Sequence, residues 1–147
     1  MFQQLLFALV LASATVIIHA WGTVLVVMPA AGLWSRKMDG PNPPGPIMIL
    51  TRLVSGLLIL HLVEMVVWAA AFAVSGVLPD FEPSLYYSLE SYTTVGYGDV
   101  IAPPSRRLLG PIEAAVGVLM FGWSTGIIVA AVQKVYSRRS DTPMTAP

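Results

Sequence analysis

The sequence predicts an all-α integral membrane protein, with three transmembrane helices plus a short re-entrant helix and an irregular loop. Three observations predict this class. Apolar residues make up 56% of the 147-residue chain and charged residues only 11%, a balance outside that of an ordinary soluble domain. Three apolar runs, 5–28, 47–77 and 108–135, are each long enough to cross a hydrocarbon core of about 30 Å. A fourth segment, 84–93, is helical in pattern but too short to span, and glycine-rich chain follows it. Irregular backbone is tolerated at membrane depth only where protein surrounds it.

Composition also excludes function classes. The chain has no cysteine, hence no disulfide framework and no thiolate metal site. Its formal net charge is zero and it has no basic block, so no nucleic acid partner is expected. The length accommodates one small module without an attached enzyme domain. No nucleophile–base pair, phosphate loop or metal-ligand spacing between the two histidines is visible, so neither an enzyme nor a bound cofactor is expected.

The first helix is assigned to residues 1–34, with Pro29 and Gly32 ending it. Its start, Met1-Phe2-Gln3-Gln4, lacks the positive charge of a cleaved signal, so a retained helix is expected. Residues 35–46, dense in Pro and Gly, read as a short cytoplasmic linker carrying Arg36 and Lys37. The second span, 47–77, exceeds a bilayer core, so it tilts or begins among the headgroups with Arg52 snorkelling. Pro79 to Pro83 form a turn with acidic residues, suited to the start of a helix. The short helix 84–93 then directs its negative C-terminal end inward, towards a cation. Ala102-Pro103-Pro104-Ser105 turns the chain into the third span, 108–135. The tail, 137–147, is expected to be disordered and cytoplasmic.

Lys and Arg set the orientation. The 35–46 linker with Arg52, and the tail region with Lys134, Arg138 and Arg139, fall on one side of a three-span chain, and positive-inside makes that side cytoplasmic. The N-terminus then faces outwards. Arg106 and Arg107 fall on the outer side and are assigned to a vestibule or to lipid headgroups.

The stretch that gives this layout chemical meaning is Thr93-Thr94-Val95-Gly96-Tyr97-Gly98-Asp99. A dehydrated potassium ion needs a cage of oxygen dipoles, because full charges would hold it too tightly to leave. A chain that aims successive carbonyls at one axis needs near left-handed backbone at alternate residues, and glycine adopts it freely. Gly96 and Gly98 have that spacing. Thr94, Val95, Gly96, Tyr97 and Gly98 are therefore the predicted potassium ligands, with the Thr94 hydroxyl as an extra oxygen. Val95 and Tyr97 are expected to pack behind the loop. Alone, Gly-Tyr-Gly-Asp would be an ordinary turn; its place between two apolar spans gives it the stronger reading.

Residues 47–136 resemble the pore module of tetrameric potassium channels, closest in layout to the bacterial two-helix type. The resemblance rests on Tyr86-Tyr87-Ser88-Leu89-Glu90-Ser91-Tyr92 running into Thr94-Val95-Gly96-Tyr97-Gly98. It implies an outer helix (47–77), a pore helix (84–93), a filter (94–98) and an inner helix (108–135). It implies that Tyr87 braces the filter tyrosine, and that Glu90 and Asp99 form a carboxyl pair behind the filter, sharing a proton or water. It also implies a hinge at Gly117 and a cavity lined by Val118, Phe121, Thr125 and Val132. For the inner-helix glycines, including the Gly122 and Gly126 pair, close helix packing is an equal alternative to hinging. The helix at 1–34 has no counterpart in the two-helix channels, and no periodic arginines mark a voltage sensor.

Ionisable side chains in the spans are costly in lipid and point to function. His61 and Glu64 are three apart on one helical face and can pair. His19 lies at a similar depth, so a His19–Glu64 contact docking the extra helix is expected, with proton sensing as the sharper alternative. Glu113 is expected to meet Arg107 or the back of the pore helix, as a structural pair or as a vestibule charge.

These readings imply a homotetrameric, potassium-selective ion channel in membrane lipid, in the plasma membrane of a prokaryote, moving K+ passively. The alternatives are a weakly selective cation channel and a non-conducting accessory membrane subunit with a channel-like fold. A transporter lacks the expected internal repeat.

Overall fold

A computed structural model describes residues 2–37 and 45–140. Four helices follow one another: α1 (Phe2–Lys37), α2 (Pro46–Val74), α3 (Phe81–Tyr92) and α4 (Leu109–Ser140). There is no strand among the described residues. Stretches of α1, α2 and α4, at Phe2–Pro29, Ile47–Val74 and Leu109–Val135, are long and apolar enough to cross a membrane. The all-helical membrane class expected from the sequence is the one found.

The helix ends depart from the expected ones for identifiable reasons. The first helix does not stop at Pro29 but continues to Lys37 with Pro29 inside it. Proline's fixed φ is itself helical, and its cost is one hydrogen bond and a kink. Part of the expected 35–46 linker is thus helix, and residues 38–44 lie outside the described residues. α2 stops at Val74, three residues short of Val77. Gly76 takes φ +67°, and the N–H groups of Gly76 and Val77 return to the carbonyls of Ala73 and Phe72 at 3.2 and 2.9 Å. This Schellman arrangement satisfies carbonyls that the helix would otherwise leave unpaired. α3 starts at Phe81 with Asp80 as its N-cap, Glu82 in its first turn and Pro83 third, earlier than the expected 84. α4 runs on through Ser140, so residues 137–140 are helix rather than disordered chain. Nothing between Leu109 and Ser140 forces a stop after the one proline, which lies in the first turn. Residues 141–147 lie outside the described residues.

α2 is the central element: α1 packs on one side of it and α3 on another, while α4 touches all three. α1 and α2 come together through small residues. A Cβ on Gly22 would sit 2.2 Å from Leu60 Cδ1, and one on Gly56 would sit 2.7 Å from Val26 Cγ1. Small residues let helix backbones approach where lipid offers no hydrophobic drive to associate. A buried hydrogen bond joins the same helices, the Trp68 indole N–H donating to Thr15 Oγ1 at 2.8 Å. The core is aromatic: Phe72 meets Trp68 and Tyr87 edge-on, with ring centres 5.7 and 5.6 Å apart. It holds the C-terminal end of α3, and hence the loop after it, at a fixed place against α4.

Candidate functional site

The loop after α3 carries the sequence's central motif, and its backbone alternates. Thr94, Gly96 and Gly98 have φ of +62°, +55° and +76°, and no other described non-glycine residue has positive φ. Alternation was expected at the two glycines; Thr94 extends it one step further. Left-handed backbone at a β-branched residue is disfavoured, so surrounding bonds must hold it. The Thr94 N–H donates to Ser91 O at 3.0 Å, and the Gly96 N–H to Glu90 O at 3.2 Å. The Tyr97 N–H donates to Glu90 Oε2 at 3.1 Å. Glu90 thus clamps the loop twice, by its carbonyl and its carboxylate. Reversal of φ sign at every second residue turns successive carbonyls to one side of the chain, the arrangement an oxygen cage requires.

The side chains of this loop face outwards. Val95 is 51% exposed and Tyr97 76%, so neither packs behind the loop within its own chain as expected. Tyr87 does not brace the Tyr97 of its own chain either. Its ring lies in the core against Phe72, and its hydroxyl stands where a Cβ on Gly110 would fall, 2.3 Å away. Asp99 takes a hydrogen bond from the Tyr86 hydroxyl at 2.9 Å and one from the Val100 N–H at 3.1 Å. Its carboxylate beside Tyr86 pushes that phenol's pKa up. Glu90 and Asp99 therefore each hold separate donors, and no hydrogen bond joins the two among the described residues.

On α4, Gly117 packs closely: a Cβ there would meet the Tyr92 carbonyl oxygen at 2.2 Å. Gly122 and Gly126 have nothing within 4 Å of a Cβ, so they pack no helix of their own chain. Of the four residues expected to line a cavity, Val118 and Thr125 are exposed and Val132 is half-buried. Phe121 turns inward instead, its ring edge-on to Tyr92 and 4.5 Å from the centre of His61. Aromatic rings favour such edge contacts over solvent or lipid exposure.

The profile of a family described as "Ion channel" matches residues 48–134. The chain belongs to the ion channel family. Over 58 residues it is 36% identical to the voltage-gated delayed rectifier potassium channel KCNH4 of Rattus norvegicus, and equally to that of Homo sapiens. The matched stretch is 39% of this chain and 6% of each relative. No solved structure matches. With three spanning helices, this ion channel protein is a multi-pass membrane protein.

The chain holds a second polar centre, where α1, α2 and α4 meet. His19 Nδ1 lies 2.9 Å from Glu64 Oε1, so the extra helix reaches α2 at the expected pair. His61 Nδ1 is 3.4 Å from Glu64 Oε2 and 3.2 Å from the Tyr92 hydroxyl. That hydroxyl donates to Glu64 Oε2. Ser124 Oγ stands 3.0 Å from His61 Nε2 and 3.4 Å from His19 Nε2. All five residues are buried. Sequence reasoning missed Tyr92 and Ser124 here. Their signal was weak: a polar residue in register with the buried face of its helix. Glu113 is also fully buried, so it is no vestibule charge. It accepts from Ser88 on the back of the pore helix, and Ser88 also lies 2.8 Å from Met65 O.

Proposed function

We propose that four copies of this chain surround an axis and conduct potassium selectively and passively. The observation that carries the reading is the alternating positive φ at Thr94, Gly96 and Gly98. One such strand cannot encircle an ion; four-loop filters can. Exposed Val95 and Tyr97 support the reading, since both await neighbours that a single chain does not supply. The open face of α4 at Gly122 and Gly126 agrees with it, as does the name of the relatives, a potassium channel. The negative end of α3 points at the start of the filter and favours a cation there. Lys and Arg on one side argue for a cytoplasmic tail and a filter mouth outside.

The test is potassium flux through the purified protein in liposomes, with sodium competing, for wild type beside Gly96→Ala. The variant removes no packing, because nothing lies within 4 Å of the added Cβ. It does force a side chain into left-handed backbone, at a cost of about 1–2 kcal/mol. Selective flux in wild type and its loss in the variant are expected. Equal sodium and potassium flux in wild type would remove the selectivity claim.

A further inference from the structure

We propose that His19, His61 and Glu64 form an intramembrane site for a divalent transition metal of the Zn2+ class. The three are fully or almost fully buried, and one ligand atom from each lies within 4.8 Å of the others. They come from different helices, His19 from α1 and the other two from α2. The donor set, two imidazoles and a carboxylate, is that of known zinc centres and is too nitrogen-rich for potassium, magnesium or calcium. Tetrahedral zinc places its ligand atoms about 3.4 Å apart, so the widest pair closes by rotation of the rings. The Tyr92 hydroxyl stands beside His61 Nδ1 and Glu64 and can complete the shell, while Ser124 faces the opposite nitrogen of both rings and can accept hydrogen bonds from them.

A second observation is how closely polar atoms crowd here: His19–Glu64, Tyr92–Glu64, His61–Tyr92, His61–Glu64, His61–Ser124 and His19–Ser124 all approach to 3.4 Å or closer. Buried lone pairs that face one another without a donor are costly, and one added positive centre among them removes that cost. Around it, the rings of Trp123 and Phe121 pack on His19 and His61, with ring centres 5.2 and 4.5 Å away. This wall keeps water out and strengthens every electrostatic contact inside it. A metal here ties α1 to the pore module.

The site is separate from the filter, so metal content and potassium flux fail independently. The experiment uses purified, tag-free full chain, incubated with zinc and passed over chelating resin. Zinc is then measured against protein by mass spectrometry, and cobalt is substituted as a spectroscopic probe. Wild type is expected to retain about one zinc per chain and to give the visible bands of tetrahedral cobalt. Glu64→Gln and His61→Gln, judged folded by unchanged elution, are expected to bind at least about tenfold more weakly. A wild type that keeps no zinc overturns the proposal and leaves an excess proton as the charge that closes the network. Folded variants that keep the wild-type zinc content overturn it equally.

Discussion

Gly117 is a residue whose role is decided by one distance. Its Cα side faces the Tyr92 carbonyl so closely that a Cβ would sit 2.2 Å from the oxygen. Backbone cannot swing aside as a side chain can, so Gly117→Ala must push α4 off the end of the pore helix. Overpacking of this kind costs about 1–3 kcal/mol. A lowered midpoint of thermal unfolding in detergent is expected. Gly122→Ala, with nothing within 4 Å of its Cβ, is expected to leave the midpoint unchanged or slightly raised, since Ala is the better helix former. Equal midpoints for the two variants would sink the close-packing assignment. At this scale the sequence was partly legible. Glycine spacing announced the alternating backbone at Gly96 and Gly98, and residue depth announced the His19–Glu64 pair. The left-handed Thr94 was not legible, because threonine carries no such preference; three hydrogen bonds to α3 residues hold the loop instead. Tyr92 and Ser124 were hidden because they meet His61 only through the tertiary fold.

The helices were visible in the sequence as apolar runs, and the ends were not. Apolar length reports what can cross a bilayer, whereas Gly76 reports where α2 reverses, and only the capping bonds to Ala73 and Phe72 reveal which signal wins. Pro29 misled in the opposite direction, since one lost hydrogen bond does not end a helix of 36 residues. Of the crossing of α1 on α2 only the His19–Glu64 contact was legible; Gly22 and Gly56 were hidden, as they sit in apolar runs with no motif around them. Their role gives an element-scale prediction. The three atoms nearest a Cβ on Gly22 all belong to the Leu60 side chain, so Gly22→Ala is absorbed by a turn of Leu60. Gly22→Leu adds a branched side chain that no rotamer of Leu60 accommodates, and α1 must lift from α2. Faster protease cleavage between α1 and α2 is expected for Gly22→Leu in detergent, with wild-type rates for Gly22→Ala. Wild-type cleavage in both would mean that the two helices are held elsewhere, by the Trp68–Thr15 bond and the His19–Glu64 pair.

Under the tetrameric reading proposed above, a single chain is incomplete as a molecule. Its polar groups are largely engaged inward, at Glu64, Glu90 and one oxygen of Glu113, while the side chains of Val95 and Tyr97 and one long face of α4 face outwards. Gly126 lies on that face, with open space around its missing Cβ. A bulky side chain there disturbs nothing within the chain, so any effect of it reports on what the face meets in the assembled protein. Gly126→Trp is expected to keep the helical content of wild type. In liposomes it is expected to reduce potassium flux to background, whether the indole fills the conduction path or separates neighbouring inner helices. Light scattering of the detergent complex distinguishes the two, since only separation lowers the mass. Unchanged flux would place the face against lipid, which accepts an indole at little cost, and would require the chains to be arranged around some other surface.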